Sequence, residues 1–222
     1  MICDTTYGNI KQKDMDAFTA EHNSRLKPGW LGNLYGLRNW DMPMASKNCP
    51  IHADDVVLDV GCGESLFFLL AAEKAKESWG VDNGNWNEFQ DWFESLDYFP
   101  AYRSGRAKFR KCSAANLPFP DEMFDKVYTF SAFEHFKGDD DICAAREVYR
   151  VLKPGGYFCG TVDYNPETER PQVEDCPVKT YTLDSFLRRI VEPSELKLVG
   201  ETRLTGNPVE IASIIFFLLR KQ

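Results

Sequence analysis

Apolar and polar positions change period several times along this chain, and each change marks an element. Val56-Val57-Leu58-Asp59-Val60 is a short, nearly unbroken apolar run that enters Gly61-Cys62-Gly63. Such a run predicts a buried strand passing into a tight turn. Further strands are predicted near 78–82, 107–112, 124–130 and 156–162, and helices near 64–77, 86–97 and 140–152. The last of these helices meets Lys153-Pro154-Gly155-Gly156, a stop signal built from a helix breaker and two turn residues. Strand alternating with helix implies a parallel sheet covered on both faces. Beyond Tyr164 comes a polar loop, then a helix near 182–191 and strands near 196–204 and 210–219. The turn Thr205-Gly206-Asn207-Pro208 is too short for a parallel crossover, so these two strands are expected to be antiparallel. Residues 1–53 show only weak periodicity with aromatic and glycine punctuation, and are expected to form a segment apart from residues 54–222.

The strand near 78–82 ends on Asp82, 21 positions beyond Gly61. An acid at the end of the second strand, at about this spacing from a glycine turn, is where a ribose meets its acceptor. Charge narrows the nucleoside. A dinucleotide site wants a third glycine and a helix N-terminus free to receive pyrophosphate. Here Leu66 stands at the third-glycine position, and the expected first helical turn carries Glu64. A carboxylate there complements the positive helix end and repels a diphosphate. Asp59, Glu64 and Asp82 together suit a ligand with ribose hydroxyls and cationic groups but no phosphate, a description that fits S-adenosylmethionine. A nicotinamide-dependent oxidoreductase is disfavoured on the same grounds.

At this point a family is recognisable. LDVGCG at 58–63, GVD at 80–82, ANLPFPDEMFDKVYTFSAFEHF at 115–136 and REVYRVLKPGGYF at 146–158 stand in order. Together they resemble the class I S-adenosylmethionine-dependent methyltransferases, in the branch that methylates small molecules. The resemblance spans about 54–161. It implies a Rossmann-like α/β fold with a seven-stranded, mostly parallel sheet whose last strand is reversed. It also implies that Gly61, Cys62 and Gly63 approach the cofactor, that Asp59 reaches its amino-acid end, and that Asp82 takes both ribose hydroxyls. Asn83 is placed beside the adenosine, although a plain turn role fits it equally. Family members usually carry an acid after the third strand. Ser113 stands there instead, followed by Ala114, and a neutral acceptor should make a bond weaker by about 1 kcal/mol. Tyr35 and Trp40 fall in the N-terminal segment, which in this family commonly caps the acceptor pocket.

Ser131 follows the fourth strand, where a parallel sheet opens a ligand crevice at its carboxyl end. Glu134 and His135 come just after it, Glu134 as a candidate acceptor contact. With an ordinary pKa near 6.5, His135 is suited to take a proton from a substrate hydroxyl or amine; a packing role is the alternative. The aromatic run from Trp86 to Phe99 reads either as a helix packed on the sheet or as a wall beside the ligand. A non-catalytic member of the same fold remains the competing functional reading, motivated by Ser113 and by the lack of an obvious base.

Composition adds exclusions. A net charge of −8 opposes general nucleic-acid affinity. No NPPY-type block follows the fourth strand, where amino-group DNA methylases carry one. The cluster Arg103, Arg106, Lys108, Arg110 and Lys111 reads as the solvated face of an edge strand. Seven cysteines without a C-x-x-C pair, and three scattered histidines, suggest neither a disulfide framework nor a metal site. The N-terminus lacks a signal-peptide core, and the apolar run 211–219 is too short to span a bilayer. A cytoplasmic protein acting on a small molecule, away from membrane and nucleic acid, is the expectation.

Overall fold

In a computed structural model, alternate residues of the central strands face two different sets of helices. The structure describes residues 12–24, 38–64, 66–85, 89–165, 167, 169, 178–200, 203–206 and 213–222. Strand β1 (Val56–Val60) pairs in parallel with β2 (Glu77–Asp82) and β4 (Phe124–Phe130). Strand β3 (Ala107–Lys111) extends β2, and β5 (Leu152–Tyr164) extends β4, both in parallel. Strand β8 (Ser213–Arg220) runs antiparallel to β5. Its other edge takes β6 (Lys197–Leu198) at Leu219–Arg220 and β7 (Arg203–Gly206) at Ser213–Phe216. β6 and β7 therefore lie end to end as one interrupted strand, so eight segments fill seven sheet positions. The reversed strand sits inside this sheet, between β5 and the interrupted strand.

Leu58, Val127, Phe158 and Phe217 point to one face, where helices α6 (Asp140–Val151) and α7 (183–194) add Ala144, Val148, Phe186 and Ile190. Their immediate neighbours Val57, Tyr128, Cys159 and Phe216 point to the other face. Two-sided burial explains why the strands read as apolar runs and not as strict alternation. The second face is covered by α3 (Phe67–Lys74) and by α2 (Arg38–Asn48), which contributes Met42, Met44 and Ala45 to the core. Helix α1 (Gln12–Asn23) packs on α2. Neither helix was legible as a period: α2 carries an internal proline, Pro43, and a buried acid, Asp41.

Three boundaries depart from expectation. Helix α3 starts at Phe67, so Glu64 lies in the preceding turn and the first helical turn holds no acid. Glu64 therefore does not complement the α3 dipole from its first turn, while Asp59 and Asp82 keep their places near the ends of β1 and β2. The Lys153–Gly156 stop does end α6, but the chain enters β5 at once, with a register irregularity opposite Phe124–Lys126. Helix α7 reaches residue 194 through a π-helical stretch, Leu187–Val191. Helix α4 (Phe89–Ser95) buries Trp92 in the core and leaves Phe93 exposed. Trp86 lies outside the described residues. Strand β3 is an edge strand, and Lys108 pairs with Glu77 at 2.9 Å. No helix of the described residues is long and apolar enough to cross a membrane.

Candidate functional site

The carboxyl ends of β1, β2 and β4 meet through backbone hydrogen bonds. Gly61 and Cys62 both donate their N–H to the Val81 carbonyl, at 2.9 and 3.0 Å, which folds the glycine turn against the end of β2. Asp82 then bridges the two loops. Its Oδ2 accepts from Gly63 N at 3.0 Å and its Oδ1 from Gly84 N at 2.8 Å. The Asn83 backbone N–H is a further donor, and the carboxylate still retains acceptor capacity for a hydroxyl. Burial raises the Asp82 pKa, against the opposing pull of those N–H groups and of the nearby His135.

The two turn glycines serve different ends. Gly61 has φ +68°, and a Cβ there would stand 2.4 Å from the Ala132 methyl, so the turn packs directly on the end of β4. Gly63 has φ +50°, and a Cβ there would meet nothing within 4 Å. A side chain there would point into open space. Gly63→Ala should therefore fold, at a cost of about 1–2 kcal/mol for the left-handed conformation. Its new methyl would intrude on the open space. Thermal melting together with cofactor titration checks this, the expected outcome being a small loss of melting temperature and a larger loss of affinity.

The remaining candidates divide by depth. Asp59 is buried at the end of β1, and both it and Asp82 act on the Cys62 thiol. Desolvation first, then those two acids, push the Cys62 pKa up and keep the sulfur neutral. Ser131 adopts φ +45°, unusual for a residue with a Cβ, and its Oγ is buried without a hydrogen-bond partner. Strained backbone with an orphaned hydroxyl at the carboxyl end of a central strand is a functional signal. Asn83 is exposed, and its Oδ1 accepts from Asn85 N at 3.0 Å. Ser113 is exposed too, its Oγ accepting from Ala115 N at 3.2 Å, while Ala114 is half-buried against the main core. His135 is exposed, and its charge acts on Asp82. Glu134 is fully buried beside Tyr181. Trp40 packs edge-on against Phe216, with ring centres 6.1 Å apart, on the α2 side of the sheet. Tyr35 lies outside the described residues.

Two supports of the site become visible only in the structure. Arg150 on α6 donates to the carbonyls of Leu117 (2.9 Å) and Phe119 (2.7 Å), and Glu147 accepts from Leu117 N at 2.7 Å, fixing the loop that follows Ser113. On the other side, buried Asp141 accepts from Tyr181 Oη at 2.8 Å and from Arg189 at 2.7 and 2.9 Å, with Lys179 at 3.0 Å. Lys179 N also donates to the Glu134 carbonyl at 2.9 Å, so this cluster ties the loop after β4 to the segment entering α7. Asp82 with the buried acids Asp59 and Glu134, against neutral hydroxyls at 113 and 131, suits a cationic, hydroxyl-bearing ligand. Asp82, the open space at Gly63 and the orphaned Ser131 hydroxyl fit an adenosyl sulfonium.

Comparison with known proteins gives a family match. Residues 58–160 match a family described as a methyltransferase domain. A methyltransferase of Bacillus subtilis named YcgJ is 32% identical over 162 residues, which are 71% of this chain and 56% of that protein. A sterol 24-C-methyltransferase of Pneumocystis carinii is 32% identical over 111 residues, 49% of this chain and 28% of that one. The chain thus spans about half or less of the length of these relatives. Among solved structures, 1,6-didemethyltoxoflavin-N1-methyltransferase from Burkholderia thailandensis, with its substrate and S-adenosylhomocysteine bound, superposes with TM-score 0.62 at 17% identity, covering 77% of this chain and 72% of that one. That likeness is one of fold.

Proposed function

We propose, from the premise that residues 58–160 belong to the class I S-adenosylmethionine-dependent methyltransferase family, that the chain moves a methyl group from S-adenosylmethionine to a small-molecule acceptor. The observation that carries the reading is the Asp82 carboxylate, held between the N–H groups of Gly63 and Gly84 at the carboxyl end of β2. S-adenosylmethionine would supply an electrophilic methyl on a positively charged sulfur. Asp82 would hold the ribose hydroxyls, Asp59 would serve the ammonium end, and the Gly61–Gly63 backbone would admit the ligand closely. Ser113 and Ala114 would border the adenine edge beside Asn83, and the Ser131 hydroxyl would gain the partner it lacks.

What the chain must do is align an acceptor with that methyl, with reacting atoms roughly 3–3.5 Å apart, and keep water out. The buried Asp141 cluster holds the loop bearing Glu134 and His135 for this purpose. His135 would take a proton from an acceptor that arrives protonated, because it is exposed at the mouth of the site and lies within electrostatic reach of Asp82. Trp40, from the N-terminal segment, would border the acceptor side. A metabolite, sugar or glycan intermediate is the preferred acceptor class, in keeping with the acidic net charge.

Calorimetric titration tests the reading. Both S-adenosylmethionine and S-adenosylhomocysteine should bind, and NADH should not compete. Absence of binding by either at millimolar concentration would end the proposal. A binding-only protein of this fold is the second reading, favoured by the neutral, exposed Ser113; methyl transfer to any member of a metabolite pool would remove it.

A further inference from the structure

Residues 98–120 hold five cations and no carboxylate, in a chain whose net charge is −8. Strand β3 lies at the centre of this stretch and ends the sheet, with β2 as its strand neighbour among the described residues. Ser78 N donates to the Arg106 carbonyl, and Cys112 N to the Asp82 carbonyl, both at 2.9 Å. The even positions from 106 to 112 therefore turn their backbone groups toward β2. Ala107, Phe109 and Lys111 turn theirs outward, and among the described residues no hydrogen bond reaches those groups. An open edge of this kind is a template for another strand.

Side chains divide by the same alternation. Arg106, Lys108 and Arg110 share one face. Lys108 is engaged by Glu77, and its ammonium lies 5.0 Å from the centre of the Trp79 ring. Arg106 and Arg110 are exposed, about 13 Å apart along the strand. Arg110 donates to the Pro118 carbonyl at 3.3 Å, and among the described residues neither arginine meets a carboxylate. Phe109 and Lys111 take the other face. There the Phe109 ring centre is 5.8 Å from that of Phe93, which is 40% exposed, and the Lys111 ammonium stands 4.6 Å over Phe89. One face of the open edge is thus cationic, and the other is aromatic.

We propose that the outer edge of β3 docks an extended, acidic segment of a partner protein, which joins the sheet as a further strand. Backbone groups of the segment pair with the outward N–H and C=O groups of Phe109 and Lys111. Carboxylates at alternate positions meet Arg106 and Arg110, whose guanidinium forks suit two-oxygen acceptors. Apolar residues at the intervening positions cover Phe93 and Phe109. Charge and backbone chemistry decide the occupant. A second copy of this chain would set arginine against arginine, so the cations that keep like strands away admit one of opposite charge. A phosphodiester strand carries no row of N–H donors, and would leave the outward carbonyls unmatched.

Docking at this edge is independent of methyl transfer. The full chain is titrated at low ionic strength with an end-blocked octapeptide of alternating glutamate and valine, and amide hydrogen exchange is followed by NMR. The Phe109 and Lys111 amides should exchange readily in the free chain and several-fold more slowly with peptide bound. The lysine–valine counterpart should not bind. Arg106→Glu with Arg110→Glu should weaken the complex roughly tenfold, two attractive pairs having become repulsive. Both positions are exposed, so the melting temperature should stay unchanged. The glutamate–valine peptide N-methylated at alternate residues keeps its charge and loses its donors; it should not bind. No binding of the unmodified peptide at millimolar concentration overturns the proposal. So does equal binding of the N-methylated peptide, which would reduce the contact to charge alone. Protection of the same amides by a single-stranded oligouridylate, and not by the peptide, would make the edge a nucleic-acid surface and overturn it too.

Discussion

Asp141→Ala should lower folding stability by about 3–5 kcal/mol, the range for removing one partner from a buried ion pair. Asp141 is fully buried, and it accepts hydrogen bonds from Tyr181 and Arg189 and pairs with Lys179. The side chains of Lys179 and Arg189 are themselves only 8% and 15% exposed. Deleting the carboxylate strands two cations in a low-dielectric environment, where water reaches them poorly. Urea denaturation measures the effect, and a loss below about 1 kcal/mol would mean the pair behaves like a surface ion pair. Acid should have a related effect. Burial raises the Asp141 pKa, but the Arg189 and Tyr181 hydrogen bonds and the Lys179 charge outweigh it, so the net displacement is downward. A depressed folded-state pKa contributes stability above the ordinary aspartate range, and that stability is lost as pH falls through the folded-state value. The Asp141→Ala variant should lack this part of the acid dependence.

Asp82→Ala should weaken S-adenosylmethionine binding by about 3 kcal/mol, roughly a hundredfold, since a hydrogen bond to a charged group is worth about 1.5–3 kcal/mol. The substitution also releases Gly63 N and Gly84 N, so the turn loses its brace together with the proposed ribose acceptor. Asp82→Asn offers little rescue. Both oxygens face N–H donors, and an amide NH₂ placed against either would set donor against donor. Titration with S-adenosylhomocysteine, which needs no acceptor substrate, reads both variants. An unchanged dissociation constant would show that the ligand sits elsewhere. Because burial raises the Asp82 pKa, affinity should begin to fall with acid at a higher pH than an ordinary aspartate would allow.

Much of the fold follows from periodicity alone. β1 to β4 lie where apolar runs and turn residues place them, as do α6 and the reversed last strand. Apolar runs are short-range signals that survive any packing. The N-terminal helices escaped because Pro43 and Asp41 interrupt the period of α2, and its burial is settled by the sheet face it covers. Glu64 was misplaced because α3 starts only at Phe67, a boundary that no local period fixes.

The glycine turn, the acid that ends the second strand and the order of the alternating elements were determined by the sequence by itself, because each is a local matter of spacing and residue type. Tertiary structure alone decided that Asp82 braces two loops, that Ser131 is strained with its hydroxyl buried, and that Asp141 gathers Lys179, Tyr181 and Arg189. Those partners lie 19 to 48 positions apart in most cases. Contacts of that range leave no periodic trace along the chain; they exist only once the sheet has set its strand order and register.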